Sequence, residues 1–246
     1  MIDRLAPTVR PSGPNAGTQH WRQLAFLHWE VDPVVLRRLV PAELDLDLDL
    51  WNGAAYVGIV PFAMEAVRPG WLPRALALDL LETNVRTYVH LGGRDPGVYF
   101  FSLDAASRLA VWGARATFGL PYFHAKMSMI VSGDEVAYET TRSGAPDAHL
   151  RVRYHQGAPL GTAQPGTLDH FLIERYLLYV KRGSHIEVGQ VHHQPYPLRS
   201  ITVSEVDEGL LTAAGLPATS GLPAQVHLSP GVDVEVFALR PTTRML

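Results

Sequence analysis

The chain has 246 residues, 47% of them hydrophobic and 18% charged, enough apolar material for one large domain or two small ones with a true core. With Lys+Arg 21 against Asp+Glu 24 and a net charge of -3, it lacks the basic field that attracts a phosphate backbone, which argues against a nucleic-acid partner. Cysteine is absent, so disulfides, thiolate catalysis and Cys-ligated zinc are excluded.

Residues 1–20 are punctuated by Pro and Gly and read as an arm, ahead of a single domain over 21–246. The start MIDRLAPTVRPSGPNAG has no apolar signal-peptide core, and no apolar run nears the roughly 20 residues that span a bilayer. The expectation is a cytoplasmic protein with no membrane partner. Short strands are expected over 24–30, 55–65, 81–91, 97–103, 123–131, 134–141, 149–155, 185–193, 198–205 and 232–239. The run LDLDLDL from Leu44 to Leu50 alternates strictly and suits a short strand or edge loop with its acids toward water.

Helical patterns are fewer. A short one covers Asp32 to Pro41, and a second covers Asp104 to Gly119 with Asp104 as its cap. A third runs from Pro165 to Gly183, where Leu168, Phe171, Leu172, Tyr176 and Tyr179 recur at helical spacing. On it, Glu174 and Arg175 read as a helix-face ion pair, and Lys181 as a cation at the C-terminus. A fourth covers 203–215. Strands outnumber helices and few strand-helix-strand units alternate, so the fold class is α+β: a mainly antiparallel barrel or sandwich with peripheral helices.

The segment LLETNVRTYVHLGG alternates cleanly. One face carries Glu82, Asn84, Arg86, Tyr88 and His90; the other carries Thr83, Val85, Thr87, Val89 and Leu91. In an open sheet the polar row would face solvent. In a closed barrel it would line a cavity, offering acceptors and donors to a ligand. A similar split follows Pro121, with Tyr122, His124, Lys126 and Ser128 on one face. Lys126 and Lys181 are the only lysines. A lysine beside aromatics is either a desolvated Schiff-base amine or a snorkelling surface residue.

Eleven histidines raise the question of a metal, but no tight ligand spacing appears, and His192 and His193 would point to opposite faces of a strand. No G-x-S-x-G, Walker or G-x-G-x-x-G motif is present, so the expectation is no metal and no cofactor.

The segments FLHW, LVPAELDLDLDLWNGAAYVGIVPF, LLETNVRTYV, GVYFFSLDA, ARATFGLPYFHAKM, FLIERYLLY and HHQPYPL resemble the uncharacterised YqjF-like family of the acetoacetate decarboxylase-like superfamily, from about Trp21 to Phe237. The resemblance implies a closed, cone-like, mainly antiparallel β-barrel with flanking helices and an internal pocket, which turns the polar rows inward. It also implies a departure in chemistry. True acetoacetate decarboxylases carry Gly-x-Pro-Lys-Lys, in which one lysine forms the Schiff base and its neighbour depresses its pKa. Here GLPYF occupies that stretch, so Tyr122 and Phe123 stand where the lysine pair would be. Lys126 lies about 13 Å further along the strand. Glu82 resembles the carboxylate of the superfamily's active site.

The resulting expectation is a small-molecule pocket protein for an anionic or carbonyl-containing metabolite. Asn84, Arg86, Tyr88 and Arg115 bind the ligand, and Glu82, Tyr122, His124 and Lys126 are the candidate catalytic groups. The alternatives are a lyase or aldolase-like enzyme using Lys126 as a relocated amine, and a non-catalytic structural or interaction protein. A homo-oligomer is compatible with any of the three.

Overall fold

The computed structural model describes residues 2–41, 46–183, 185–219 and 221–242. The chain begins with β1 (Gly17–Val31), α1 (Pro33–Arg37), β2 (Leu46–Leu48), β3 (Ala55–Pro69), β4 (Leu78–Leu91) and β5 (Arg94–Ala105). It continues through α2 (Arg108–Phe118), β6 (Tyr122–Ser132), β7 (Glu135–Arg142), β8 (His149–Gly161), α3 (Leu168–Ile173) and β9 (Leu177–Arg182). The last elements are β10 (His185–His192), β11 (Leu198–Glu208), α4 (Leu210–Ala213), β12 (Gln225–Val236) and β13 (Arg240–Pro241).

The strands form one sheet in the order β13-β10-β9-β5-β6-β7-β8-β11-β12-β1-β3-β4-β2. Pairing of β4 with β5 closes it into a ring, and pairing of β10 with β12 makes β9 and β10 a second path from β5 to β12. Neighbours run antiparallel except β5 with β6 and β5 with β9. The β5–β6 pair needs a crossover, and α2 supplies it. This helix starts at Ser107, whose side chain accepts from Ala110 N, and stops at Gly119, whose φ of 64° is a left-handed conformation suited to glycine. Asp104, expected as the cap, instead stays in β5, where it pairs with Arg142.

The wall made by β1, β3 and β4 is buried on both faces. On one side Ala25, Leu27, Val57, Ile59, Val85 and Val89 pack with Tyr138, Tyr154 and Tyr179, and α1 and α4 close this core with Leu36, Leu210 and Leu211. On the other side Leu24, Phe26, Tyr56, Val60, Phe62 and Tyr88 pack with α3 and Tyr196. The choice between a solvated and a core face on β4 therefore dissolves: each face has its own core.

Three expectations are corrected. The third helix stops at Ile173, and Leu177–Arg182 form β9, where Leu177 and Tyr179 face the first core. Their spacing also fits strand alternation, and pairing with β5 and β10 outweighs the local helical pattern. The fourth helix shrinks to Leu210–Ala213, because the preceding residues pair with β8 as β11. Finally, β1 begins at Gly17, within the stretch read as an arm, and Gly17 pairs with Pro69 and Val236. In the LDLDLDL run, Leu44 and Asp45 lie outside the described residues; β2 follows, Asp47 faces solvent, but Asp49 is buried.

Candidate functional site

The polar row of β4 is buried along its length: Glu82 is 4% exposed, Asn84 5%, Arg86 8% and Tyr88 1%. Register places Phe62 beside Glu82, Val60 beside Asn84 and Gly58 beside Arg86. On the other flank β5 sets Ala105 beside Glu82 and Leu103 beside Asn84. Closure of the sheet thus encloses two ionisable groups four residues apart.

At the Glu82 end, β6 runs parallel to β5 with Tyr122 opposite Leu103. That register carries the Tyr122 hydroxyl to Glu82, to whose Oε2 it donates at 2.7 Å. Burial pushes the Glu82 pKa up to about 7, while hydrogen bonds from Tyr122 and Asn84 hold it back. Burial and the neighbouring Glu82 carboxylate together push the Tyr122 phenol well above its ordinary value, so it stays a donor. Behind the strand, Tyr138 donates to the Glu82 backbone oxygen at 2.9 Å, and its hydroxyl lies 3.0 Å from Thr83 Oγ1, which pins the start of the row. Phe123 lies under the Arg142 guanidinium, 3.9 Å from carbon to ring centre.

At the Arg86 end the surroundings are aromatic and cationic. Arg86 stands over the rings of Phe26 and Tyr88 and donates one long bond, 3.4 Å, from Nη2 to Leu172 O. The same carbonyl accepts the Tyr88 hydroxyl at 2.7 Å, and His28 Nε2 lies 2.7 Å from that hydroxyl. Gly58 makes room for this pair: a Cβ there would lie 3.0 Å from His28 Cδ2. Burial, the Arg86 charge and His227 together hold the His28 pKa well below its usual value, so its ring is neutral.

Glu174 and Arg175, expected as a pair on a helix face, point to different partners in this core. The Glu174 carboxylate accepts Tyr176 OH at 2.7 Å and Tyr196 N at 2.9 Å. Arg175 donates to Phe171 O at 2.7 Å and to Asp49 Oδ2 at 2.7 Å, and Arg4 bonds the other oxygen of Asp49. One buried carboxylate therefore serves two guanidiniums. These bonds also explain where the helix ends, since the Glu174 backbone, at φ -83° and ψ 81°, has left helical geometry.

The expected site residues divide into groups. Tyr122 and Asn84 both neighbour the Glu82 carboxylate, and Arg86 and Tyr88 belong to the second group. Arg115 is an exposed residue of α2 that donates to Tyr122 O at 2.6 Å, so it holds the backbone beside the site rather than entering it. His124 is half-buried and bonds Ser143 Oγ at 2.8 Å. Lys126 is exposed, opposite Thr141 of β7. Sequence reading missed Asp49, Arg175, His28, Tyr196 and His193. Asp49 was hidden by alternation that suits an exposed edge, and Arg175 by a helical period. Among the described residues no three His, Asp or Glu side chains are arranged to hold a metal ion, and no helix is long and apolar enough to cross a membrane.

Residues 18–233 match the family DUF2071, described as an uncharacterized conserved protein. The chain is also 36% identical over 231 residues to the uncharacterized protein YqjF of Bacillus subtilis (strain 168), covering 94% of each. It belongs to the YqjF-like DUF2071 family. The fold of this YqjF-like chain is that of acetoacetate decarboxylase. An acetoacetate decarboxylase from Legionella pneumophila superposes with a TM-score of 0.63 at 12% identity, over 97% of this chain and 95% of that one. The enduracididine biosynthesis enzyme MppR complexed with pyruvate superposes with a TM-score of 0.61 at 13% identity, over 95% of this chain and 93% of that one.

Proposed function

We propose that this YqjF-like protein binds a small carboxylate or other anionic metabolite in its interior, with Arg86 as the anchor and without a Schiff-base lysine pair. The observation that carries this reading is an uncompensated buried cation. Among the described residues Arg86 has no carboxylate partner, and its Nε has no hydrogen-bond partner at all. A buried guanidinium left unpaired is strongly disfavoured, whereas an arriving carboxylate matches its planar fork through parallel hydrogen bonds. The carboxylates of this core are already engaged: Arg175 and Arg4 share Asp49, and Glu174 accepts from Tyr176 OH and Tyr196 N.

Glu82 complements this role. With its pKa near 7 it exchanges a proton near neutrality, and Tyr122 is a fixed donor beside it, so that end of the row is suited to acid-base work. The absence of lysine at positions 122 and 123 removes the iminium route at that point of the strand.

The test is calorimetric titration with pyruvate and with its neutral amide, on the unaltered protein and on Arg86→Met. The variant is expected to lose about tenfold to a hundredfold in affinity for pyruvate, the size of a charge-assisted hydrogen bond, with little change for the amide. Equal loss for both ligands, or loss that tracks unfolding in urea, would make Arg86 a structural group and end the proposal.

A further inference from the structure

His193 follows β10 and stacks against Tyr176 at 4.4 Å between ring centres, with Tyr196 at 4.5 Å on a tilted plane. Tyr196 in turn contacts Phe26, the ring beneath Arg86, so His193 and Arg86 share one aromatic enclosure. The imidazole is 3% exposed. Its Nδ1 lies 2.7 Å from Gln194 O, and a carbonyl can only accept, so Nδ1 carries a proton. Burial lowers the ring's pKa to about 4, a shift to which Arg86 contributes, so the ring carries no second proton. Its Nε2 is then a bare acceptor, and it has no partner among the described residues.

The enclosure therefore contains unsatisfied buried atoms of both kinds. Arg86 Nε is a donor in need of an acceptor, and His193 Nε2 is an acceptor in need of a donor. Asn84 Oδ1, two residues from Arg86 on the same face, is a second orphan acceptor, its amide group being engaged with Glu82. Each bare buried acceptor costs about 1–3 kcal/mol, and an occupant that also donates to one of them relieves that cost where one that merely neutralised Arg86 would not.

We infer that the ligand is a hydroxy acid: its carboxylate sits on Arg86 and its hydroxyl donates to His193 Nε2. This rests on the anion reading above and deepens it, because a keto acid of the same skeleton satisfies the arginine but presents a second acceptor to an acceptor. His193 is on this account the residue that sets specificity, with Tyr176 and Tyr196 fixing its ring plane.

The matched pair lactate and pyruvate, which differ in hydroxyl against carbonyl, separates the two ideas. Calorimetric titration near pH 7.5 is expected to give at least about tenfold tighter binding for lactate, the equivalent of one hydrogen bond. His193→Phe keeps the aromatic stack but has no lone pair, and should bring that ratio to about one, by weakening lactate and relieving the acceptor-acceptor contact with pyruvate. Equal binding of both acids to the unaltered protein, or a preference for pyruvate, overturns the hydroxy-acid inference and leaves the anion reading intact. Failure of both acids to bind overturns the two together. Should His193→Phe not fold, long-range proton-nitrogen spectra of the unaltered protein supply the answer. The unprotonated Nε2 resonance of His193 should shift on addition of lactate and stay in place with pyruvate; no shift with lactate overturns the inference.

Discussion

The two ends of the β4 polar row are opposites built on one strand face. Among the described residues the buried Glu82 carboxyl has no cation partner, and it adapts by holding its proton to about pH 7 and by accepting from Tyr122. The buried Arg86 guanidinium has no carboxylate partner among the described residues, and guanidinium as a strong base keeps its charge. It is surrounded instead by aromatic faces and one carbonyl. The four-residue gap, about 13 Å along the strand, keeps the two from neutralising each other. A titratable group tolerates isolation by changing its charge state; a permanent charge tolerates it only while something else arrives to balance it.

The largest effect is expected at the Arg86 end, from Asp49→Ala. This removes the carboxylate that Arg175 and Arg4 share, and breaking a buried ion pair from one side costs about 3–5 kcal/mol. Urea denaturation measures it. A loss below about 1 kcal/mol would mean that the arginines of this core are satisfied by other means, and the contrast between the two ends would weaken.

The Glu82 end should show its adaptation as a pH dependence of stability. The folded pKa of about 7 lies above the ordinary value of 4.5, so between these limits the folded state holds a proton that the unfolded state has lost. The stabilisation from this group is complete below about pH 4.5 and is lost as pH rises through 7, a span on the order of 3 kcal/mol. His193 has the opposite sign: its folded pKa of about 4 lies below 6.5, so its contribution is present above 6.5 and is lost as pH falls through 4. The two slopes oppose each other between about 4.5 and 6.5. The quantity to measure is therefore the difference between the unaltered protein and Glu82→Gln across pH 4 to 8. That difference should change steadily over the window, and a flat one would show that Glu82 ionises at its ordinary pH despite burial.

A smaller effect is expected from Gly58→Ala. The added methyl would press on His28 at 3.0–3.2 Å and disturb its contact with Tyr88, a crowding cost of about 1–3 kcal/mol. Thermal denaturation reads it, and a neutral outcome would show that the ring of His28 can shift without loss.

Much of the fold was legible because alternation is a local property. The period of β4 identified the row Glu82, Asn84, Arg86 and Tyr88 as one face, and the start of α1 at Asp32 follows from a capping side chain that accepts from Val34 N. That Tyr122 and Phe123, and no lysine, follow Pro121 was likewise readable residue by residue. The segment from Leu168 to Arg182 was not. Its apolar positions satisfy a helical period, and only the partners Asp49, Tyr196 and β5 end the helix at Ile173 and extend the rest.

Local order along the chain settles which side chains travel together: the two faces of β4, the family, and the absence of an amine at positions 122 and 123. Which of those faces meets water, and which groups meet each other, is settled in three dimensions. Ring closure through the β4–β5 pair buries both faces at once, and the parallel register of β6 brings Tyr122 to Glu82 across forty residues of chain. Asp49 and His193 are likewise buried. Burial, and with it every shifted proton and every unpaired charge, is a property of what surrounds a residue in space, and strand periodicity reports only what lies beside it along the chain.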